Sequence, residues 1–282
     1  MAEFTLTATC RAAGGIVAGV TGYLWSKGCY LEQLHQFDDQ STGRFFMRTV
    51  GTTPPGQPIE PVIEGFREVA AGFGMDWQFF DTSEPMRVML MVSKADHCLS
   101  DILYRRRKGE LPITVTRIVS NHPDLERIAI QENVPFTYLP VSADNRQAQE
   151  AALLDLITET RSELIVLARY MQILSAALCE KLHGRVINIH HSFLPGFKGA
   201  KPYHQAHSRG VKLIGATAHY ATSDLDEGPI IEQCVQPVDH TFTPKQLSAL
   251  GRDTEQMALA RAVRWHAEHR VFLDGNKTVI FK

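Results

Sequence analysis

Apolar residues follow two rhythms along this chain, and the change from one to the other divides it. Phe4, Leu6 and Ala8 alternate with polar residues, as a strand with one wet face requires. Ile16, Val17, Val20, Leu24 and Trp25 then fall at helical spacing, with Gly28 placed to end the helix. Leu31 to Phe37 and Phe45 to Val50 read as two strands, joined by the turn-rich Asp38-Asp39-Gln40-Ser41-Thr42-Gly43. After the breaker Thr53-Pro54-Pro55-Gly56, a second helical stripe collects Ile59, Val62, Ile63, Phe66, Val69, Ala70 and Phe73. Asp76 to Phe80 closes the unit as a fourth strand. The order β-α-β-β-α-β predicts a ferredoxin-like α+β domain over residues 1–82, with Thr82-Ser83-Glu84-Pro85 as the linker.

From Met86 onward short apolar runs alternate with helical stretches. Val88 to Val92, Ile113 to Val119, Phe136 to Tyr138 and Leu164 to Leu167 are apolar enough to be buried on both faces. Helical segments near 98–107, 123–131 and 145–160 separate them. This pattern predicts a doubly wound, mostly parallel α/β domain over residues 86–282, with a short hairpin from Val271 to Phe281 at its end. Such sheets bind ligands beyond the carboxyl ends of their strands, so the chemistry belongs in the loops there.

Composition narrows the field. With 29 basic and 31 acidic side chains the net charge is −2, which gives no general attraction to nucleic acid and favours a small-molecule substrate. Five cysteines, Cys10, Cys29, Cys98, Cys179 and Cys234, are odd in number and widely spaced, neither a disulfide framework nor a zinc knuckle. No basic-then-apolar leader opens the chain and no apolar run approaches a membrane span, so the reading is a reduced cytoplasm and no membrane partner.

The chemistry concentrates between residues 186 and 228. Val186 and Ile187 suit a buried strand, and alternation puts Asn188 and His190 on one face of it. A polar pair at the end of an apolar strand is costly unless it is used or satisfied. The segment Phe197-Lys198-Gly199-Ala200-Lys201-Pro202 follows as a loop able to pass close to a ligand. Ile214 to His219 reads as another strand, leading to the acidic turn Thr222-Ser223-Asp224-Leu225-Asp226-Glu227-Gly228. An amide, an imidazole and a carboxylate together supply what acyl hydrolysis needs without a metal: an oxyanion donor, a water activator and a proton for the departing nitrogen. Either Asp224 or Asp226 can be that carboxylate, the other serving the turn.

Asn188-Ile-His190, Ser192-Phe-Leu-Pro195 and Asp224-Leu-Asp226-x-Gly228 resemble the signature of the folate-dependent formyltransferase superfamily. Within it the chain is similar to the deformylases of formyltetrahydrofolate over nearly its whole length. That likeness takes in Phe45-Phe-Met-Arg48, Val92-Ser-Lys94, His97-Cys-Leu99, His190-His191-Ser192-Phe193 and Gly275-Asn-Lys277. The resemblance implies an ACT domain followed by a formyltransferase-type catalytic domain. It also implies hydrolysis of 10-formyltetrahydrofolate to formate and tetrahydrofolate, balancing the one-carbon folate pool and supplying formate for purine biosynthesis. It places catalysis on Asn188, His190 and Asp226, with folate as substrate and no separate cofactor. Tyr170, Met171 and Leu174, in Ala168-Arg-Tyr-Met-Gln-Ile-Leu174, would line the pterin pocket with Ala221, Thr222 and Asp224, the backbone of Met171 and Leu174 facing the ring. His191, Ser192 and His219 would support the catalytic residues from behind.

Two departures and two competing readings remain. The turn Val92-Ser93-Lys94-Ala95-Asp96-His97-Cys98 lacks the glycines with which a transformylase cradles an acceptor's phosphate, which favours water as acceptor. The alternatives are a transferase of the same superfamily and a non-catalytic folate- or amino-acid-binding regulator. In the N-terminal domain, Cys10-Arg11-Ala12-Ala13-Gly14-Gly15 and Gly28-Cys29-Tyr30-Leu31 lack the acid and amide that ACT domains of this kind usually present to an amino-acid effector, so homo-oligomer assembly is its expected role. His204-x-x-His207 raises a zinc site, but no cysteine pair or H-E-x-x-H accompanies it and no metal is expected. Arg105-Arg106-Arg107-Lys108 reads first as cations at a helix C-terminus, with a folate-tail contact as the alternative.

Overall fold

The computed structural model describes residues 1–142, 144–194 and 202–282. It divides the chain into two compact units, Met1–Pro85 with His269–Phe272 and Val279–Lys282, and Met86–Glu268 with Leu273–Thr278. The C-terminal hairpin is therefore not wholly part of the second unit, as a single 86–282 domain would have it. The reason is apolar: Phe272 and Phe281 bury themselves around Phe46 of the N-terminal unit.

The first unit runs β1 (Glu3–Arg11), α1 (Ile16–Ser26), β2 (Tyr30–Asp39), β3 (Arg44–Thr52), α2 (Glu60–Phe73) and β4 (Asp76–Asp81). Its four-stranded antiparallel sheet has the order β2-β3-β1-β4, the ferredoxin-like arrangement expected of an ACT-like domain. Gly28 ends α1 as foreseen: at φ 74° it takes the left-handed turn, while Cys29 N–H donates to the Leu24 carbonyl. Phe4, Leu6, Ile16, Val20, Leu24, Val62 and Phe66 form the core, each fully buried large side chain contributing about 1.5–3 kcal/mol.

The second unit contains β5 (Met86–Val92), α3 (His97–Arg107), β6 (Ile113–Ser120), α4 (Glu126–Gln131), β7 (Phe136–Tyr138), α5 (Arg146–Glu159) and β8 (Leu164–Leu167). It continues with α6 (Ala176–Lys181), β9 (Val186–His190), α7 (Pro202–Arg209), β10 (Leu213–Tyr220), β11 (Ile230–Pro237) and α8 (Pro244–Ala267). β12 (Val271–Asp274) and β13 (Lys277–Ile280) form the final hairpin. The seven-stranded sheet has the order β11-β10-β9-β8-β5-β6-β7. Strands β5 to β9 are parallel, and β10 and β11 add to one edge in antiparallel fashion. Val88 through Val92 are fully buried, as a strand covered by helices on both faces must be. No helix among the described residues is long and apolar enough to cross a membrane.

The basic run at the end of α3 is occupied locally. Arg105 donates to Asp101 and Glu110, while Arg106 and Arg107 reach Glu132. Those partners leave the helix-end reading and remove the support for a folate-tail contact.

Candidate active site

Antiparallel pairing of β9 with β10 brings the polar residues together. The register sets Asn188 opposite His219 and His190 opposite Thr217, so all four belong to one patch. The β10–β11 pairing shifts between Ala218 and His219, an irregularity that re-aims the strand where the histidine emerges. The turn after β10 then delivers Asp226, whose φ of 58° is left-handed, a conformation that Asp tolerates better than most residues. Gly228 makes this turn possible. A Cβ there would lie 1.8 Å from the Tyr220 carbonyl oxygen, so no side chain fits.

Asp226 Oδ1 lies 3.1 Å from His190 Nδ1 and 3.7 Å from His219 Nε2, with the aspartate largely shielded from water. Burial pushes its carboxyl up, but the hydrogen bond and charge of His190 outweigh this and hold it well below the ordinary range. The carboxylate that meets the histidines is thus Asp226. Asp224 is exposed, and its backbone carbonyl accepts from Thr222 Oγ1 to shape the turn.

The hydrogen bonds assign the state of His219. Its Nδ1–H donates to the Tyr220 carbonyl at 2.9 Å, leaving Nε2 to accept from Asn188 Nδ2 at 3.2 Å. That fixes the orientation of the Asn188 amide and leaves its second N–H to a ligand. His190 presents a buried Nε2 without a partner among the described residues, a cost that a reacting group would offset. His191 stacks on His190, with ring centroids 4.9 Å apart.

These groups open on a cavity of about 240 Å³. Asn188, His190, His219 and Asp226 line it, as do the expected Tyr170, Met171, Leu174, Ala221, Thr222, Asp224 and His191. Exposed Met171 (59%), Ile173 (55%) and Leu225 (58%) give it an apolar rim on which a flat heterocycle can lie. Burial and the neighbouring Glu150 push the Tyr170 hydroxyl up to about 12, although a hydrogen bond with Gln149 opposes the shift.

Ser192 does not line the cavity; it acts through its backbone, accepting from Thr217 Oγ1 at 2.9 Å. Pro195 and the expected ligand-approaching loop from Phe197 to Lys201 lie outside the described residues. His204 and His207 are both exposed on α7.

Several contributors had no signal in the sequence reading. Fully buried Thr217 also accepts from Leu194 N–H and Gln233 Nε2, tying down the segment after β9. Ser93, in the turn singled out only for its missing glycines, accepts from the Met171 N–H and donates to Asn121 Oδ1. The Met171 N–H is therefore engaged, which leaves its carbonyl as the backbone group able to meet a ligand. His97, Cys98 and Glu255 place three possible metal-ligand atoms within 4.8 Å of one another. The fit to a metal is poor: Glu255 is already engaged by His97, Tyr203 and Arg169.

Comparison with known proteins adds the following. A family profile described as Formyl transferase matches residues 86–263. A formyltetrahydrofolate deformylase of Corynebacterium sp. (strain P-1) is 52% identical over 279 residues, covering 98% of this chain and 97% of its own. The crystal structure of a formyltetrahydrofolate deformylase from Burkholderia mallei superposes with a TM-score of 0.96 at 50% identity, covering 100% of both chains. A glycinamide ribonucleotide transformylase from Symbiobacterium toebii superposes with a TM-score of 0.67 at 31% identity, covering 72% of this chain and 97% of its own.

Proposed function

The chain belongs to the formyltetrahydrofolate deformylase family, and from that membership we propose how its cavity works. The reaction is hydrolysis of 10-formyltetrahydrofolate to formate and tetrahydrofolate. The observation that carries the mechanism is the connected cluster of Asn188, His219, Asp226 and His190 on the cavity wall.

In this reading the pterin ring lies against the 169–174 loop and the formyl group reaches the end of β9. Asn188 offers its free amide N–H to the formyl oxygen, aimed there because its other N–H is held by His219. His190, as the imidazolium paired with Asp226, donates from Nε2 to the same oxygen. A water bound to Asp226 attacks the formyl carbon. A carboxylate held so far down is a weak base in the resting site. As negative charge grows on the oxygen beside His190, the imidazolium's pull on Asp226 is shared and the carboxylate becomes basic enough to take the proton. It then passes that proton to N10, the C–N10 bond breaks, and formic acid leaves as formate with release of its own proton. No separate cofactor has a step to perform.

The test is steady formate production from 10-formyltetrahydrofolate with no acceptor added, matched one-to-one by tetrahydrofolate. Run in ¹⁸O-water, it yields formate carrying one solvent oxygen. Turnover only with an added acceptor would make the chain a transferase, and binding without turnover a regulator.

The N-terminal unit's role in this reading is assembly into a homo-oligomer. Tyr30 (71%), Leu34 (39%) and Phe37 (45%) are exposed along its edge strand β2, with Trp25 (78%) on α1. Such a surface suits a second copy better than water. Sedimentation of the intact chain checks the assembly. Titration with glycine and methionine is expected to leave formate release unchanged below millimolar effector.

A further inference from the structure

The sheet of the second unit reverses its strand order once. From β5 it proceeds through β6 to β7, then starts again on the other side of β5 with β8. At such a point a crevice opens beyond the carboxyl ends of the strands, and doubly wound folds admit ligands there. Here that crevice is filled by the protein. His97 opens α3 just after β5, and its Nε2 lies 2.8 Å from Glu255 Oε2. Tyr203 OH donates to Glu255 Oε1 at 2.8 Å. Arg169, two residues beyond β8, brings Nε to 3.4 Å from Glu255 Oε2. The Glu255 side chain is only 1% exposed.

Two backbone features show that this closure is built in. Gly251, one turn before Glu255 on α8, faces Tyr203 so closely that a Cβ would meet its hydroxyl oxygen at 2.0 Å; only glycine lets the ring reach the carboxylate. Arg169 sits at φ 65°, where glycine is the low-cost residue, yet a long cationic side chain is kept there. Arg169 also lines the cavity alongside Asn188 and His190, so the crevice cluster and the reacting groups' cavity share this residue. Opening the barrier would strand a buried carboxylate and a guanidinium without each other, which makes spontaneous opening rare.

We propose that Arg169, paired with a Glu255 that His97 and Tyr203 hold in place, is an acceptor barrier that sets the reaction's specificity for water. It occupies the approach a second substrate would need, so a water-sized nucleophile reaches the formyl carbon and a bulkier amine does not. The proposal rests on the reading above that the formyl carbon is attacked beside Asn188, His190 and Asp226.

The experiment partitions the formyl group between water and three oxyamines of rising size: hydroxylamine, methoxyamine and O-benzylhydroxylamine. In the transfer step the amine nitrogen bonds to the formyl carbon, the C–N10 bond breaks, and the amine's proton passes through Asp226 to N10. The products are a hydroxamate and tetrahydrofolate. The ratio of hydroxamate to formate, corrected for the uncatalysed reaction, does not depend on overall rate or on the fraction of folded enzyme. With the unaltered protein the ratio is expected to fall at least about tenfold from hydroxylamine to O-benzylhydroxylamine. In Arg169→Gly, which suits the left-handed backbone, the ratio for O-benzylhydroxylamine should rise by roughly tenfold or more. A flat size series with the unaltered protein overturns the barrier, and this arm decides even if the variant does not fold. An unchanged ratio in a folded, formate-releasing Arg169→Gly overturns it as well. Absence of formate from the unaltered protein in buffer alone defeats the functional reading itself, and the barrier with it.

Discussion

Two carboxylates in the second unit are hemmed in by histidines and held below the ordinary range, Asp226 between His190 and His219 and Glu255 against His97. Their surroundings differ in one respect. Glu255 has both oxygens hydrogen-bonded, by His97 on one and Tyr203 on the other, with Arg169 Nε beside the first as an ion pair at 3.4 Å. Asp226 receives only His190 at Oδ1, with His219 Nε2 3.7 Å away, and lines the cavity beside a His190 whose Nε2 has no partner among the described residues. A saturated buried carboxylate holds structure. One with valence left over, on an open wall beside an unsatisfied imidazole, is arranged for chemistry.

If this distinction is right, the Glu255 cluster fails in stability and the Asp226 cluster in rate. Glu255→Ala leaves the partly buried Arg169 without its counter-ion and empties a buried site, and is expected to cost about 3 kcal/mol, read from the urea midpoint. A loss below about 1 kcal/mol would mean that Arg169 and His97 do not depend on it. Next in size, Asn188→Ala removes an oxyanion donor and should lower kcat by roughly 10²–10³ with little change in the urea midpoint. Reversal of the two outcomes, with stability lost at Asn188 and rate lost at Glu255, would exchange the roles assigned to the clusters.

A smaller effect concerns pH. His266 accepts from Tyr220 OH at 2.6 Å, and burial together with Arg185 pushes it from 6.5 down to about 4. A depressed histidine resists protonation in the folded state, while the unfolded chain takes the proton near 6.5. Stability should therefore fall as pH drops from 6.5 toward about 4 and be fully present above that window. His266→Gln should flatten that part of the urea-midpoint profile, and an equal slope in both proteins would assign the acid sensitivity elsewhere. The smallest expected effect is none: prolonged chelation leaves formate release unchanged, because amide, imidazole and carboxylate suffice. Activity lost to the chelator and restored by zinc would overturn that mechanism and reopen the His97–Cys98–Glu255 cluster as a metal site.

The same contrast explains what was legible in the sequence. The Asp226 cluster is nearly local: Asn188 and His190 sit two apart on one strand, and the turn is the next landmark after its partner strand. Strand alternation and motif spacing reach that far. The Glu255 cluster gathers His97, Arg169, Tyr203 and Glu255 from four separate segments, and only the folded sheet brings them together. Helix α8, which carries Glu255, and β11 before it show no single apolar rhythm. The helix buries Leu247, Gly251, Thr254, Glu255, Ala258, Leu259 and Val263, a mixture of small, polar and apolar residues rather than one apolar stripe. Its start was written plainly in Thr243-Pro244-Lys245-Gln246, a capping box with proline at the first helical position. The division of the C-terminal hairpin was unreadable for a related reason, since it depends on where Phe272 and Phe281 find Phe46.

The account turns on Asp226 doing chemistry while Glu255 holds structure, and Asp226→Asn addresses that claim most directly. Steady-state formate release and equilibrium binding of a non-hydrolysable folate are measured on the same purified sample. The prediction is a loss in kcat on the order of 10²–10⁴ with folate affinity kept within a few-fold. A variant that retains more than about a tenth of the original turnover would contradict it.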